Sequence, residues 1–138
     1  MNARCAVLAV LGILTVGNAQ AANWVKLVGK KDRVQISVDT ESIRTSDGMV
    51  QAWELFNFDT PDLFQGQAAR SVKYLYSHNC AEHTVALVHG VFYAGRNGEG
   101  EVLSENDSSE IVYLEPIPGT IGARGLKFVC SYARKHKK

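Results

Sequence analysis

The chain has 138 residues, of which 46% are hydrophobic and 21% charged, and its formal net charge at pH 7 is +1. This composition is typical of an ordinary globular domain, and the length permits one hydrophobic core but no second domain. No stretch approaches the roughly 20 apolar residues that a transmembrane helix needs.

The first 21 residues have the pattern of a cleaved secretory signal. A positive start, residues 1–4, precedes an uncharged apolar run of 11 residues, 6–16. A helix of that length spans only about 16 Å, roughly half of a bilayer core. Ala19-Gln20-Ala21 supplies the small residues that signal peptidase reads. We therefore predict a signal peptide over residues 1–21 and one mature domain over residues 22–138.

The signal predicts export without a lipid anchor. A lipoprotein signal needs a cysteine as the first mature residue, whereas Ala22 occupies that position and Cys5 precedes the apolar run. The expected location is therefore the periplasm or the outer surface of the cell.

The mature chain combines a mildly acidic body with a basic tail. Removal of Arg4 from the 15 basic residues leaves 14, equal to the 14 acidic residues. Such a tail could contact anionic lipid, acidic glycan or nucleic acid, but cations at a helix end also favour the helix dipole and solubility. Export and the lack of another basic face argue against nucleic acid. The tail contains Arg134, Lys135, Lys137 and Lys138.

Cys80 and Cys130 are the two cysteines of the mature sequence. In an exported chain they have one intramolecular pairing, which predicts a structural disulfide. A redox-active pair would prefer the Cys-x-x-Cys spacing, and a catalytic thiol must stay free beside a base. His78 and His83 lie close to Cys80 in sequence, but a disulfide-bonded cysteine cannot be a ligand. We therefore predict no metal and no other cofactor.

Segments of alternating apolar and polar residues predict a series of β-strands. Residues 24–28 and 34–38 are expected to form a first hairpin across residues 30–33. Asp47-Gly48 marks the next turn, and a strand with two largely apolar faces follows over residues 49–58.

Residues 59–66 contain Pro61 and are predicted to form a surface loop. A third strand covers residues 72–77 and ends near Cys80, and a fourth covers residues 85–93. Strict alternation places the odd residues of the fourth strand on one face and the even residues on the other, and both faces are apolar.

Residues 94–100 are rich in glycine and superficially resemble a phosphate-binding loop. Phosphate loops open a helix, whereas these residues lie between strands, so a hairpin turn is predicted. Residues 100–104 and 111–114 are shorter candidate strands, separated by the polar run 105–110.

After Thr120 the spacing of apolar residues changes from the alternation of a strand to that of a helix, and Thr120 can cap this helix. Gly122 and Gly125 each cost such a helix about 1 kcal/mol relative to alanine, which packing and the disulfide can offset. The predicted fold is α+β: a twisted antiparallel sheet of about five or six strands, with a C-terminal helix packed on one face and one disulfide. The apolar face of the helix contains Ala123, Leu126, Val129, Cys130 and Ala133.

An ordered set of short motifs is similar to the surface-adhesin protein E family over roughly residues 24–135. The motifs are Lys26-Leu27-Val28, Val38-Asp39-Thr40-Glu41-Ser42-Ile43, Arg70-Ser71-Val72-Lys73, Asn79-Cys80-Ala81, Phe92-Tyr93, Pro118-Gly119-Thr120 and Val129-Cys130. The resemblance implies a small antiparallel-sheet domain with a C-terminal helix and no catalytic activity. It also implies a place on or beneath the bacterial outer membrane, binding of host extracellular-matrix and serum proteins, and possible homodimers.

The sequence departs from the family in two places. The family's namesake is a lipoprotein, and this chain lacks the acceptor cysteine. The basic stretch that the namesake carries ahead of the Arg-Ser-Val segment, and that is associated with host-protein binding, corresponds here to Gln65-Gly66-Gln67.

The sequence contains no nucleophile motif and no phosphate loop in the right context, so it predicts no enzyme. A non-catalytic protein-binding module is the favoured function. For an anionic partner the candidate residues are the cations of the first hairpin together with two cations at residues 70 and 73, although charges there can also blunt edge-to-edge aggregation. These cations are Lys26, Lys30, Lys31, Arg33, Arg70 and Lys73.

The alternative function is a periplasmic carrier of a small ligand or metal that uses His78, His83 and His89 near aromatic residues. A histidine on an apolar strand face, such as His89, can act as a base or contact a ligand. We interpret His89 instead as a satisfied core or half-buried histidine.

Overall fold

The structure is a computed structural model that describes residues 21–27 and 33–137. The predicted signal peptide, except for Ala21, lies outside the described residues, as do Lys30, Lys31 and Lys138.

Within the described residues, seven strands form one antiparallel sheet in the order β1-β2-β4-β5-β6-β7, and the short β3 pairs with β4 beyond the end of β2. The helix α1 follows the last strand. This arrangement confirms the predicted fold class and adds β3. The bounds are β1 Trp24–Lys26, β2 Val34–Asp39, β3 Arg44–Ser46, β4 Met49–Phe64, β5 Gln67–Asn79, β6 Thr84–Tyr93, β7 Val102–Asp107 and α1 Ile121–Lys135.

The predicted loop over residues 59–66 is wrong, because β4 continues to Phe64. Pro61 has no N–H to donate, and the pairing of β4 with β5 is interrupted by a bulge between Asn57 and Asp62, where that donor is not needed. Gln65 and Gly66 then close a two-residue hairpin turn with φ values of 50° and 78°. A long hairpin therefore replaces the loop.

The predicted faces of β6 are also wrong over half of the strand. Leu75 pairs with His89, but the next residue, Tyr76, pairs with Leu87, so Val88 is an extra residue in β6. One extra residue exchanges the two faces of every residue beyond it. Leu87 consequently lies on the same face as Tyr76, opposite His89.

The connector after β6 is a hairpin turn, as predicted, because β7 pairs antiparallel with β6. β7 lies two or three residues later in the chain than expected and includes part of the polar run. Residues 111–114 do not form a strand; Leu114 makes a single bridge to Val85.

α1 packs on one face of the sheet through Val129, which forms a buried cluster with Val38, Val50 and Ala52. The helix begins directly after Thr120, as predicted, although the Thr120 hydroxyl donates to the Ile117 carbonyl instead of capping a helical N–H. We call the side that α1 covers the helix face and the opposite side the open face.

The predicted disulfide is confirmed: Cys80, directly after β5, is bonded to Cys130 in α1, with Cα atoms 5.7 Å apart. The bond ties the middle of the helix to the end of a central strand.

A buried polar pair lies between the sheet and α1. Nε2 of His78 is 3.2 Å from Oε1 of Glu54, and Nδ1 of His78 is 2.9 Å from the carbonyl oxygen of Val50. Gly125 is buried over this pair, because a Cβ there would lie 2.9 Å from Oε1 of Glu54. The glycine that weakens the helix in isolation is therefore what allows the helix to approach the sheet.

Candidate functional site: the open face of the sheet

Four side chains on the open face form the candidate site, and we call them the Trp-Lys cluster: Trp24, Trp53, Lys73 and Tyr93. They come from β1, β4, β5 and β6; the last three are neighbours in the sheet, and β2 separates β1 from β4. All four are half-buried.

Alternation and register explain why these residues share a face. Lys73 pairs with Leu55 on one side and Val91 on the other, and directly paired residues point to the same face. Trp53 and Tyr93 are separated from Leu55 and Val91 by two residues along their own strands, so they also point to the open face.

Lys73 lies between two aromatic rings. Its Nζ is 5.7 Å from the centre of the Trp24 ring and 5.4 Å from the centre of the Tyr93 ring. Both distances are within the range of cation–π attraction. The lysine thus fixes the two rings on either side of its own ammonium group.

The connector between β6 and β7 folds back over one end of the open face. The hydroxyl of Ser71 donates to the Gly95 carbonyl and accepts the N–H of Gly98, and the side chain of Asn57 bonds Asn97. Gly98 has φ +66°, and a side chain there would clash with the aliphatic stem of Lys73. The glycine-rich connector between β6 and β7 therefore positions the side chain of Lys73.

Beside the cluster is a shallow cavity of about 370 Å³, which Asp39 and Glu105 also line. Aromatic rings with polar edges, one ammonium group and two carboxylates offer apolar contact area together with hydrogen-bond donors and acceptors. Tryptophan and tyrosine carry much of the binding energy at protein interfaces. The arrangement suits binding, and its polar groups are not aligned as a nucleophile and base.

His89 lies next to the cluster on the open face, where its ring meets that of Trp53 edge to face at 5.8 Å. Its Nδ1 is 2.6 Å from Asp107 and its Nε2 is 3.0 Å from Glu105. The hydrogen bond to Asp107, assisted by Glu105, raises the pKa of His89 above its ordinary value of 6.5, although partial burial opposes the rise. His89 is thus a half-buried, satisfied histidine, as the sequence indicated.

Replacing Asp107 with asparagine should lower the pKa of His89 towards 6.5, as measured by NMR titration of the imidazole. Because the folded-state pKa is raised, the protonated contact stabilises the fold fully below pH 6.5, and this contribution is lost as pH rises through the folded-state pKa. Glu101→Gln, at an exposed acid before β7, is the matched control. A wild-type His89 pKa at or below 6.5 would contradict the geometry.

The three histidines of the carrier hypothesis lie in three different places. His78 is buried under α1, His83 is exposed in the turn after β5, and His89 is on the open face. Across residues 21–27 and 33–137 no three histidine, cysteine, aspartate or glutamate side chains are grouped to hold a metal ion. The structure therefore brings together no histidine site for a carrier.

The predicted partner-binding cations are distributed over both faces. Lys26 is exposed and pairs with Ser37, which places it on the open face in the same row as Lys73. Arg33 is exposed just before β2, and Arg70, also exposed, lies by alternation on the side opposite Lys73. Lys30 and Lys31 are outside the described residues.

Sequence reasoning missed the two tryptophans and Tyr93 as partners of Lys73. The sequence did contain one indication: Trp24 and Lys26 are two residues apart in a strand, so their side chains lie on the same face. Nothing in the sequence, however, indicated which face α1 would leave open.

These features define a small domain in which one helix covers one face of an antiparallel sheet and the other face carries an aromatic and basic cluster. The profile of the surface-adhesin protein E family matches residues 24–131, and the chain belongs to that family. Membership in a family of exported surface adhesins favours protein binding over catalysis.

Solved structures of Haemophilus influenzae protein E have the same fold. One superposes with a TM-score of 0.60 at 21% identity and covers 83% of this chain and 89% of that chain. Crystal form II gives a TM-score of 0.59 at 22% identity and covers 78% and 87%. No curated protein sequence matches the chain significantly. Within the described residues, no helix is both long and apolar enough to span a membrane.

Proposed function

We propose that the mature chain is a non-catalytic, exported protein-binding module without a lipid anchor that recognises its partner through the Trp-Lys cluster. The partner is a protein, either a host extracellular-matrix or serum protein or a protein of the cell envelope. The observation that supports this most is the position of two tryptophans, a tyrosine and a lysine on the side of the sheet that α1 does not cover.

Charge supports this proposal only in part. Lys26 and Lys73 lie in one row of the open face, about three strand spacings or 14 Å apart. Glu105 and Asp107 lie at the β7 edge of the same face. A partner that places acidic groups over β1 to β5 and apolar groups over the rings would complement this surface.

The family's basic stretch is replaced in this chain by the tip of the β4-β5 hairpin, Gln65-Gly66-Gln67. This tip carries an exposed apolar side chain, Leu63, and no adjacent cation. The open face, rather than the hairpin tip, is therefore the surface that we assign to the partner.

Binding of the purified mature chain to immobilised matrix and serum proteins is expected to be saturable at low salt and weaker at high salt. Replacing Trp24 with alanine, or Lys26 with glutamate, should reduce affinity by about tenfold or more, because both remove groups from the open face. Light scattering on the same samples would report a homodimer.

Arg70→Glu provides the matched comparison, since it makes the same change of charge at a predicted cation on the other face. Unchanged binding in this variant supports recognition by the open face, and a loss equal to that of Lys26→Glu would favour net charge instead. Normal binding by both open-face variants, or no saturable signal at low salt, would contradict the proposal.

A further inference from the structure

The structure contains a larger cavity, of about 730 Å³, along one flank of α1, which we call the helix-flank cavity. Its apolar walls come from Leu126 and Ala133 of the helix, Val50 of β4 and Pro116 and Pro118 of the preceding segment. The Cys80–Cys130 disulfide also lines it. Small-molecule sites usually have volumes of roughly 300–1,000 Å³, so this cavity has the size of a ligand site.

Three cations line the same cavity: Lys127 and Arg134 of α1, and Lys137 just beyond its C-terminal end. The spacing of seven residues places Lys127 and Arg134 on one flank of the helix, about 10 Å apart along its axis. None of the three forms an ion pair with a described carboxylate. Glu115 is the single carboxylate among the described lining residues, so the cavity has a positive rim.

We propose that the helix-flank cavity binds a single-chain anionic amphiphile. Its hydrocarbon chain lies against Leu126, Ala133 and the disulfide, and its acid group lies at Lys127 and Arg134. An apolar chain gains from leaving water, and the long aliphatic stems of lysine and arginine extend the apolar wall while their charges reach the acid group. A purely apolar ligand would leave the cations unused, and a small anion would leave the apolar walls in contact with water.

This site shares no lining residue with the cavity of the open face, so the proposal does not rest on the protein partner proposed above. The sequence relates the basic end of the chain either to an anionic partner or to the helix dipole and solubility, and this proposal gives two of its cations, Arg134 and Lys137, a role in ligand binding.

Isothermal titration of the mature chain with dodecanoate, below its micelle concentration, tests the proposal. We expect saturable binding with one ligand per chain. Acetate, which lacks the chain, and dodecyltrimethylammonium, which has the opposite charge, should bind at least about tenfold more weakly. Equal binding of the cationic amphiphile, or no saturable binding of dodecanoate, would overturn the proposal.

Variants locate the site. Lys127→Gln/Arg134→Gln should weaken dodecanoate binding at least about tenfold, because charge-assisted contacts are lost. Lys135→Gln, an exposed cation of α1 outside the lining, is the control and should change affinity by less than about twofold. Thr45→Trp, from an exposed position of β3, should block the cavity without altering the core.

Full dodecanoate affinity in both the double variant and Thr45→Trp would place the ligand elsewhere and overturn the assignment. Binding to anionic phospholipid vesicles without binding of monomeric dodecanoate would also overturn it, because that pattern indicates surface attraction of the basic tail rather than a cavity.

Discussion

Replacing Cys80 and Cys130 together with alanine is expected to lower the free energy of unfolding by about 4 kcal/mol. The bond closes a separation of 50 residues, and the chain-entropy model gives about this value for such a loop. The loss is large beside the roughly 5–15 kcal/mol that stabilise a typical domain. α1 contributes one fully buried side chain of its own, Val129, to the core, so we expect the helix to be the element that loosens first.

Urea denaturation of the oxidised wild type, the reduced wild type and the double variant measures this effect. The reduced wild type should show most of this loss, since it lacks only the covalent link, whereas the double variant also lacks the packing of two sulfur atoms. A double variant that unfolds at the same urea concentration as the oxidised wild type would show that the disulfide does not stabilise this fold.

Replacing Glu54 with leucine is expected to destabilise the chain by about 3 kcal/mol or more. Glu54 is 3% exposed and His78 is fully buried, so the substitution leaves the His78 ring without its carboxylate in a place that water does not reach. Leucine at both positions should recover part of the loss, because an apolar pair leaves no polar ring uncompensated.

The His89–Glu105 contact is the matched comparison, since it has the same chemistry on the surface: the Glu105 side chain is 60% exposed. Glu105→Leu should cost about 1 kcal/mol or less in the same urea experiment, because solvent screens the contact. If Glu54→Leu lowers the free energy of unfolding no more than Glu105→Leu does, burial does not make the Glu54–His78 contact more important for stability.

The site on the open face was only partly accessible from the sequence. Lys26 and Lys73 were identified by charge and position in strands, and both lie on that face. Arg70 was grouped with them, although it is three residues from Lys73 in the same strand and therefore points to the other side. The aromatic partners of Lys73 come from strands far apart in sequence, which local patterns do not connect.

Prediction from the sequence was correct for features that depend on one residue type or on one repeating pattern of apolar residues. The antiparallel strands, the Asp47-Gly48 turn, the start of α1 after Thr120 and the cysteine pair all follow from alternation, turn chemistry, helix periodicity and the number of cysteines. These features depend on neighbours in the chain, or on a pairing with no alternative within the mature sequence.

Tertiary structure decided the features that depend on distant neighbours. The bulge near Pro61 extends β4 where the sequence indicated a loop, and the extra residue Val88 exchanges the faces of β6. Strand register depends on how two neighbouring strands pair. The alternation of apolar and polar residues within one strand therefore does not reveal one inserted residue. Only the packing of α1 against Glu54 explains Gly125, and only the choice of the face it covers leaves the Trp-Lys cluster open.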